Sequence, residues 1–131
     1  MDTIANLLST IKNASMVRKE SVELPFSKVN ESILSILKDR GFVENVKVFK
    51  HKDSVIKGIH VDLKYTENNK PFISEAKRIS KPGRRIYLGS KGLEIVRNGF
   101  GIGIVSTSRG LMTTDEAKKK KLGGEVICEI Y

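Results

Sequence analysis

The spacing of apolar residues changes period near Phe42, and that change limits the possible architectures more than any other feature of the chain. Before it, Ile4, Leu7, Leu8 and Ile11 follow i, i+3, i+4, i+7, one face of a helix. Asp2 or Thr3 can cap that helix. "SVELPF" is a short extended segment, with Pro25 marking an edge or an end. Val29, Ile33, Ile36 and Leu37 make a second helical face, with Ser27 before it as a cap and Gly41 after it as a stop. After Phe42, Val46 and Val48 alternate with polar residues. "HKDS" makes a turn. Ile59, Val61, Leu63 and Tyr65 then alternate with His60, Asp62 and Lys64, the pattern of a half-buried strand.

"TENNKP" is the most polar and turn-rich stretch in the middle of the chain. It is the expected boundary, with an N-terminal α/β subdomain at 1–68 and a β-rich subdomain at 69–131. In the second part, "FISEAKRIS" alternates weakly and "IYL" is a short strand. "SKGLEIVRNG" is a turn or short helix ended by Asn98-Gly99. "GIGIVST" is an apolar, β-branched strand, "TTDEAKKKK" a helix and "EVICEIY" a final strand. Val126, Cys128 and Ile130 share one face of that strand. The expected fold is α+β. It has two small subdomains, the first ordered helix-strand-helix-strand-strand and the second sheet-rich with a short helix.

A chain of 131 residues is long enough to bury a core without disulfides or metal. Its charge is uneven. Residues 1–70 carry 12 basic and 9 acidic side chains, and residues 71–131 carry 12 and 6. The net charge of +9 favours a polyanionic partner, nucleic acid ahead of a membrane surface, and the second half is where it should bind. The single cysteine, Cys128, suits a reducing compartment. No apolar run approaches the roughly 20 residues that span a bilayer, and no basic leader opens the sequence. A soluble, cytoplasmic protein is the expectation.

The densest chemistry lies in "STSRGLMTTDEAKKKKLGG", residues 106–124. Thr113 and Glu116 stand in capping-box spacing. Lys118 to Lys121 fall in the last turn, where cations meet the negative end of the helix dipole, and Gly123 and Gly124 stop the helix. A solvated helix end therefore accounts for the lysines. It does not account for Ser106, Thr107 and Ser108. Three hydroxyls at a strand end supply short donors and acceptors for sugar, phosphate and base edges. Arg109 adds a planar fork before Gly110. A plain Ser/Thr turn is the competing explanation.

"KPGRRIY" is the second basic site. Lys81, Arg84 and Arg85 cluster on a turn, and Tyr87 follows. A basic turn beside an aromatic suits unstacked bases. For Tyr87 taken alone, partial burial in the core is the preferred expectation. Enzymatic signals are weak. "GFGIG" fails the dinucleotide fingerprint, because Ile104 and Ser106 stand where a third glycine is needed, and no phosphate-binding loop of the Walker type is present. His51, His60 and Cys128 have no zinc-ligand spacing. Ser106 and Ser108 lack the nucleophile elbow, and Cys128 reads as a core or near-surface thiol.

"SKPGRRIY" followed by "NGFGIGIVSTSRGLMTTDEAKKKKLGGEVICEIY" closely resembles the bacterial small-subunit ribosomal protein family known as S-eight. "DTIANLLSTIKNA" and "VELPFSKVNESILSILKDRGFVENV" are similar to its opening helices. The match is loosest around residues 44–72. The resemblance implies a protein that binds the central domain of small-subunit rRNA directly, early in assembly, beside neighbouring ribosomal proteins. It implies an RNA-facing loop at Ser106, Thr107, Ser108, Arg109 and Gly110, with Glu125 nearby at the start of the last strand. It also draws in Lys81, Arg84, Arg85 and Tyr87, and Lys28 as the contact from the N-terminal part. In some bacteria such proteins repress their own operon mRNA.

Some positions depart from the family pattern. Thr3 stands where proline is common, Arg109 where lysine is common, and Thr10 and Lys12 where arginines are frequent. Fewer phosphate contacts are therefore expected from the N-terminal half. Small hydroxyls can enter a distorted RNA groove that is too narrow for lysine or arginine. Shape and a few hydrogen bonds then specify, while the basic turns supply affinity. Glu125 serves either as an acceptor for a base amino group or as a partner that orients the loop. The expected protein is a structural rRNA-binding component of the ribosome, without cofactor or enzymatic activity. The rivals are an mRNA-binding repressor and a small transferase with a Ser or Cys nucleophile. A DNA-binding module is disfavoured, since neither helix offers a basic face for a major groove.

Overall fold

The computed structural model describes residues 3–50, 52, 55, 57–94, 96 and 100–131. Asp2 as a cap, His51, Asp53 and Ser54 of the "HKDS" turn, and Asn98-Gly99 as a helix end lie outside the described residues. The fold is α+β. It forms two compact units, Met1–Ile73 and Ser74–Tyr131.

The first unit runs α1 (Thr3–Met16), β1 (Ser21–Pro25), α2 (Lys28–Asp39), β2 (Val43–Lys50) and β3 (Lys57–Leu63). Its antiparallel sheet has the order β1-β3-β2. β3 lies in the middle, which is why its alternation is clean: Ile59, Val61 and Leu63 are all buried. Val46 and Val48, on the edge strand β2, stay partly exposed. Pro25 ends the other edge strand, where its missing N–H breaks no ladder bond. "TENNKP" folds into a closed turn inside this unit. Tyr65 bridges Pro71, and the Thr66 N–H donates to the Lys70 carbonyl at 2.9 Å.

Ser27 caps α2, its hydroxyl accepting from the Asn30 N–H at 3.0 Å. The buried stripe of α2 is rotated from the expected one. Asn30, Ile33, Leu34 and Leu37 are buried, whereas Val29 is 40% exposed and Ile36 only half-buried. Asn30 takes the inner position because its amide donates to the Pro25 carbonyl at 3.1 Å, tying the helix start to the end of β1. Ile33 and Leu37 lie on the inner face as expected, but a hydrophobicity pattern cannot register a buried asparagine, so it favours Val29 and Ile36 over Asn30 and Leu34.

The second unit contains β4 (Ala76–Arg78), β5 (Tyr87–Leu88), a 3₁₀ turn at Ser90–Gly92, β6 (Ile102–Thr107), β7 (Gly110–Thr113), α3 (Thr114–Lys119) and β8 (Gly124–Ile130). The sheet order is β4-β8-β6-β7, with β5 also paired to β8. β4 meets the far end of β8 at residues 128–130, and β5 meets its start at 124–125. β7 was not expected. "GLMT" is too short to show alternation, yet it pairs with β6 from Thr107↔Gly110 to Ile104↔Thr113 and buries Met112. The hydroxyl run is therefore the tip of a β-hairpin. Val105, Met112 and Val126 pack with Leu93 and Ala117 on the inner side of the sheet. Cys128 is fully buried, and burial pushes its thiol up to about 12.

All three helices end in the same motif, with a left-handed residue followed by one whose N–H reaches back five positions. In α2 that residue is Gly41, as expected. In α3 it is Lys121, so Gly123 and Gly124 do not stop the helix. They are glycine because backbones converge on them. A Cβ on Gly124 would collide with the Ser106 carbonyl and lie 3.2 Å from Thr107 Cα, and one on Gly123 would lie 2.6 Å from the Leu88 carbonyl oxygen.

Gly124→Ala should lower the unfolding free energy by about 3 kcal/mol, the upper end of overpacking costs, because the obstacle is backbone and cannot rotate away. Urea denaturation followed by far-UV circular dichroism checks it. Cys128, neutral and sealed, should react with a thiol reagent at pH 8 only as fast as the unit opens, and at once in denaturant. Rapid labelling of the native protein would show that the thiol reaches solvent.

Candidate nucleic-acid interface

β6 carries Ser106 and Thr107 to the edge of the second unit's core, and the chain turns back at Ser108 and Arg109. The left-handed backbone of this hairpin falls on Gly110 (φ 103), so neither Ser108 nor Arg109 has to adopt it. Thr107 is consumed by the turn. Its Oγ1 accepts from the Arg109 N–H at 3.1 Å and donates to the Gly110 carbonyl at 2.9 Å. The plain-turn explanation thus accounts for Thr107. Ser108 and Arg109 remain exposed at the tip, and Ser106 is half-buried.

Register then does what sequence could not. Ser106 is paired with Leu111 of β7 on one side and with Glu125 of β8 on the other, and Glu125 is paired with Tyr87 of β5. Directly opposed residues of an antiparallel sheet project from the same face. Ser106, Glu125 and Tyr87 therefore form one row on the face opposite Val105 and Val126. Tyr87 is 68% exposed. The expectation that it lies partly in the core is overturned, because the two-residue strand β5 presents it to the open side. The row holds a hydroxyl, a carboxylate and an aromatic ring with a polar tip.

The basic turn joins this row through Glu125. Arg85 donates from NH1 to Glu125 Oε2 at 3.0 Å, with the Glu125 side chain only 16% exposed. Of the two roles left open for Glu125, this geometry supplies a protein partner, and that partner belongs to the "KPGRR" turn rather than to the hydroxyl loop. Lys81 and Arg84 exchange both backbone hydrogen bonds, at 3.0 and 2.9 Å, so Pro82 and Gly83 form a tight tip. Both cationic side chains are exposed.

Ser80 was missed by the sequence reading. It is fully buried, and its hydroxyl both accepts from the Ile86 N–H at 2.9 Å and donates to the Ile86 carbonyl at 3.3 Å. Its own N–H donates to the Val126 carbonyl. One hydroxyl thus ties the base of the cationic turn shut against β8. A serine before a turn has no sequence signature for this role.

Lys28 belongs to the first unit, exposed as the first residue of α2. The N-cap of α3 is present, with the Thr113 hydroxyl accepting from the Glu116 N–H at 3.3 Å. His60 lies on the polar side of β3, 3.1 Å from Asp62. Among the described residues no three His, Cys, Asp or Glu side chains come together as a metal site, and no helix is long and apolar enough to cross a membrane.

The sequence matches known proteins over nearly its full length. The family model described as Ribosomal protein S8 matches residues 2–131. "Small ribosomal subunit protein uS8" of Nautilia profundicola is 45% identical over 130 residues, covering 99% of this chain and 98% of that protein. The protein of the same name from Pediococcus pentosaceus is 48% identical over 130 residues, covering 99% and 97%. "Small ribosomal subunit protein uS8c" of Chlorokybus atmophyticus is 43% identical over 131 residues, covering 99% and 98%. With a family model spanning the chain and full-length relatives well above 40% identity, the chain belongs to the ribosomal protein S8 family.

Proposed function

We infer that the protein is a structural constituent of the cytoplasmic small ribosomal subunit. It binds the central domain of the small-subunit rRNA directly, helps that RNA to assemble, and sits among other ribosomal proteins. The family and the names of the relatives support the ribosomal role and give no support to an enzymatic one. The observation that carries direct RNA binding is the cross-strand row Ser106–Glu125–Tyr87, flanked by the exposed cations Arg109, Lys81 and Arg84. The row offers short donors and acceptors with an aromatic face, suited to a distorted RNA groove. The flanking cations suit the phosphates on either side. Arg85, held by Glu125, keeps the basic turn in line with the row. Lys28 adds a contact from the first unit.

Titration against a central-domain rRNA stem and a scrambled stem of equal length, at several salt concentrations, tests this function. Preference for the true stem that survives moderate salt is expected. Equal and steeply salt-dependent binding to both would reduce the surface to unspecific charge attraction. Ser106→Ala and Ser108→Ala should each weaken binding to the true stem by roughly 1–3 kcal/mol with little change in salt slope. Arg84→Ala should instead lower the slope by about one unit and weaken both stems alike.

A further inference from the structure

α3 ends on a lysine where α2 uses glycine. Lys121 has φ 57, in the left-handed region that residues bearing a Cβ avoid, and the matching position after α2 is Gly41 with φ 81. The two ends share their hydrogen bonds. Leu122 donates to Ala117 at 2.8 Å and Lys121 to Lys118 at 3.2 Å, as Phe42 does to Leu37 and Gly41 to Lys38. The end of α1 also carries a cation in this conformation, Arg18, but its Nε donates to the Asn69 carbonyl at 2.8 Å, which offsets the strain. Lys121 has no compensating side-chain contact among the described residues.

The lysine run divides along the same lines. Lys118 Nζ donates to the Leu93 carbonyl at 3.2 Å, and Lys120 pairs with Glu116 at 3.2 Å. Those two ammonium groups have partners within the unit. Lys119 and Lys121 are exposed, and neither ammonium has a partner among the described residues. Lys121 also has a distinctive place. It opens the link to β8, in which Gly123 presses on Leu88 and Gly124 on Ser106. Three residues span at most about 11 Å, so Lys121 lies within that reach of Gly124, the neighbour of Glu125 in β8.

We propose that Lys121 is a binding residue, holding a phosphate of the RNA that lies across that row. This rests on the reading of the row as an RNA surface. Backbone strain at a cation with no internal partner brings the fold nothing, and glycine would remove it. Such strain persists where the side chain serves a ligand.

The test compares Lys121→Gly with Lys119→Ala, which removes the same charge from the last turn of α3. Both are titrated with the true and scrambled stems across a salt series, and thermal unfolding is measured in parallel. Lys121→Gly should raise Tm by about 2 °C while weakening RNA binding several-fold and lowering the salt slope by about one unit. Lys119→Ala should change the slope much less. A more stable Lys121→Gly protein with the wild-type slope, or with the same small loss as Lys119→Ala, overturns the role of Lys121 and leaves the row intact. A wild-type protein that fails to prefer the true stem overturns the reading of the row and this assignment with it.

Discussion

The open face of the second unit depends on the approach of the Gly124 backbone to Ser106. β8 enters the sheet between β6 and β5 through a gap too narrow for a Cβ on either side. That entry sets the register in which Ser106, Glu125 and Tyr87 become neighbours across three strands. It also leaves Val105 and Val126 on the buried side, where they pack with Met112, Leu93 and Ala117. Close packing below and chemistry above thus follow from one backbone constraint. A shift of one residue would exchange the two faces.

The cationic turn is held to this row by two different interactions. Ser80 contributes neutral hydrogen bonds from a fully buried position, which fix the base of the turn. Arg85 contributes an ion pair to the half-buried Glu125. The first is insensitive to salt, and the second is only partly screened because one partner is shielded. The tip cations Lys81 and Arg84 stay exposed while their backbone is held by the turn. A surface held in this way is ordered before any ligand arrives, so less entropy is lost when one binds.

Much of the fold was legible in the residues. The clean alternation of β3, the caps at Ser27 and Thr113, the stop at Gly41 and the apolar strand β6 all have local causes, and all are present. The misreadings share one origin, partners distant in sequence. Asn30 is buried because the Pro25 carbonyl needs its amide. "GLMT" is a strand because β6 lies beside it. Gly123 and Gly124 follow a helix, so they resemble a stop, yet their reason is the nearness of Leu88 and Ser106.

The sequence by itself determined the fold class, the basic bias of the second half and the cluster of hydroxyls before Gly110. Periodicity, charge and turn chemistry are properties of neighbouring residues, and they survive without tertiary information. Only the tertiary structure decided which of those groups stand together. It spent Thr107 on the turn, turned Tyr87 outward and set Arg85 against Glu125, 40 residues away. It also divided four exposed lysines into two whose ammonium groups bond within the unit and two whose ammonium groups have no partner among the described residues. Strand register and close backbone approach make those choices, and both depend on contacts between segments that no local pattern encodes.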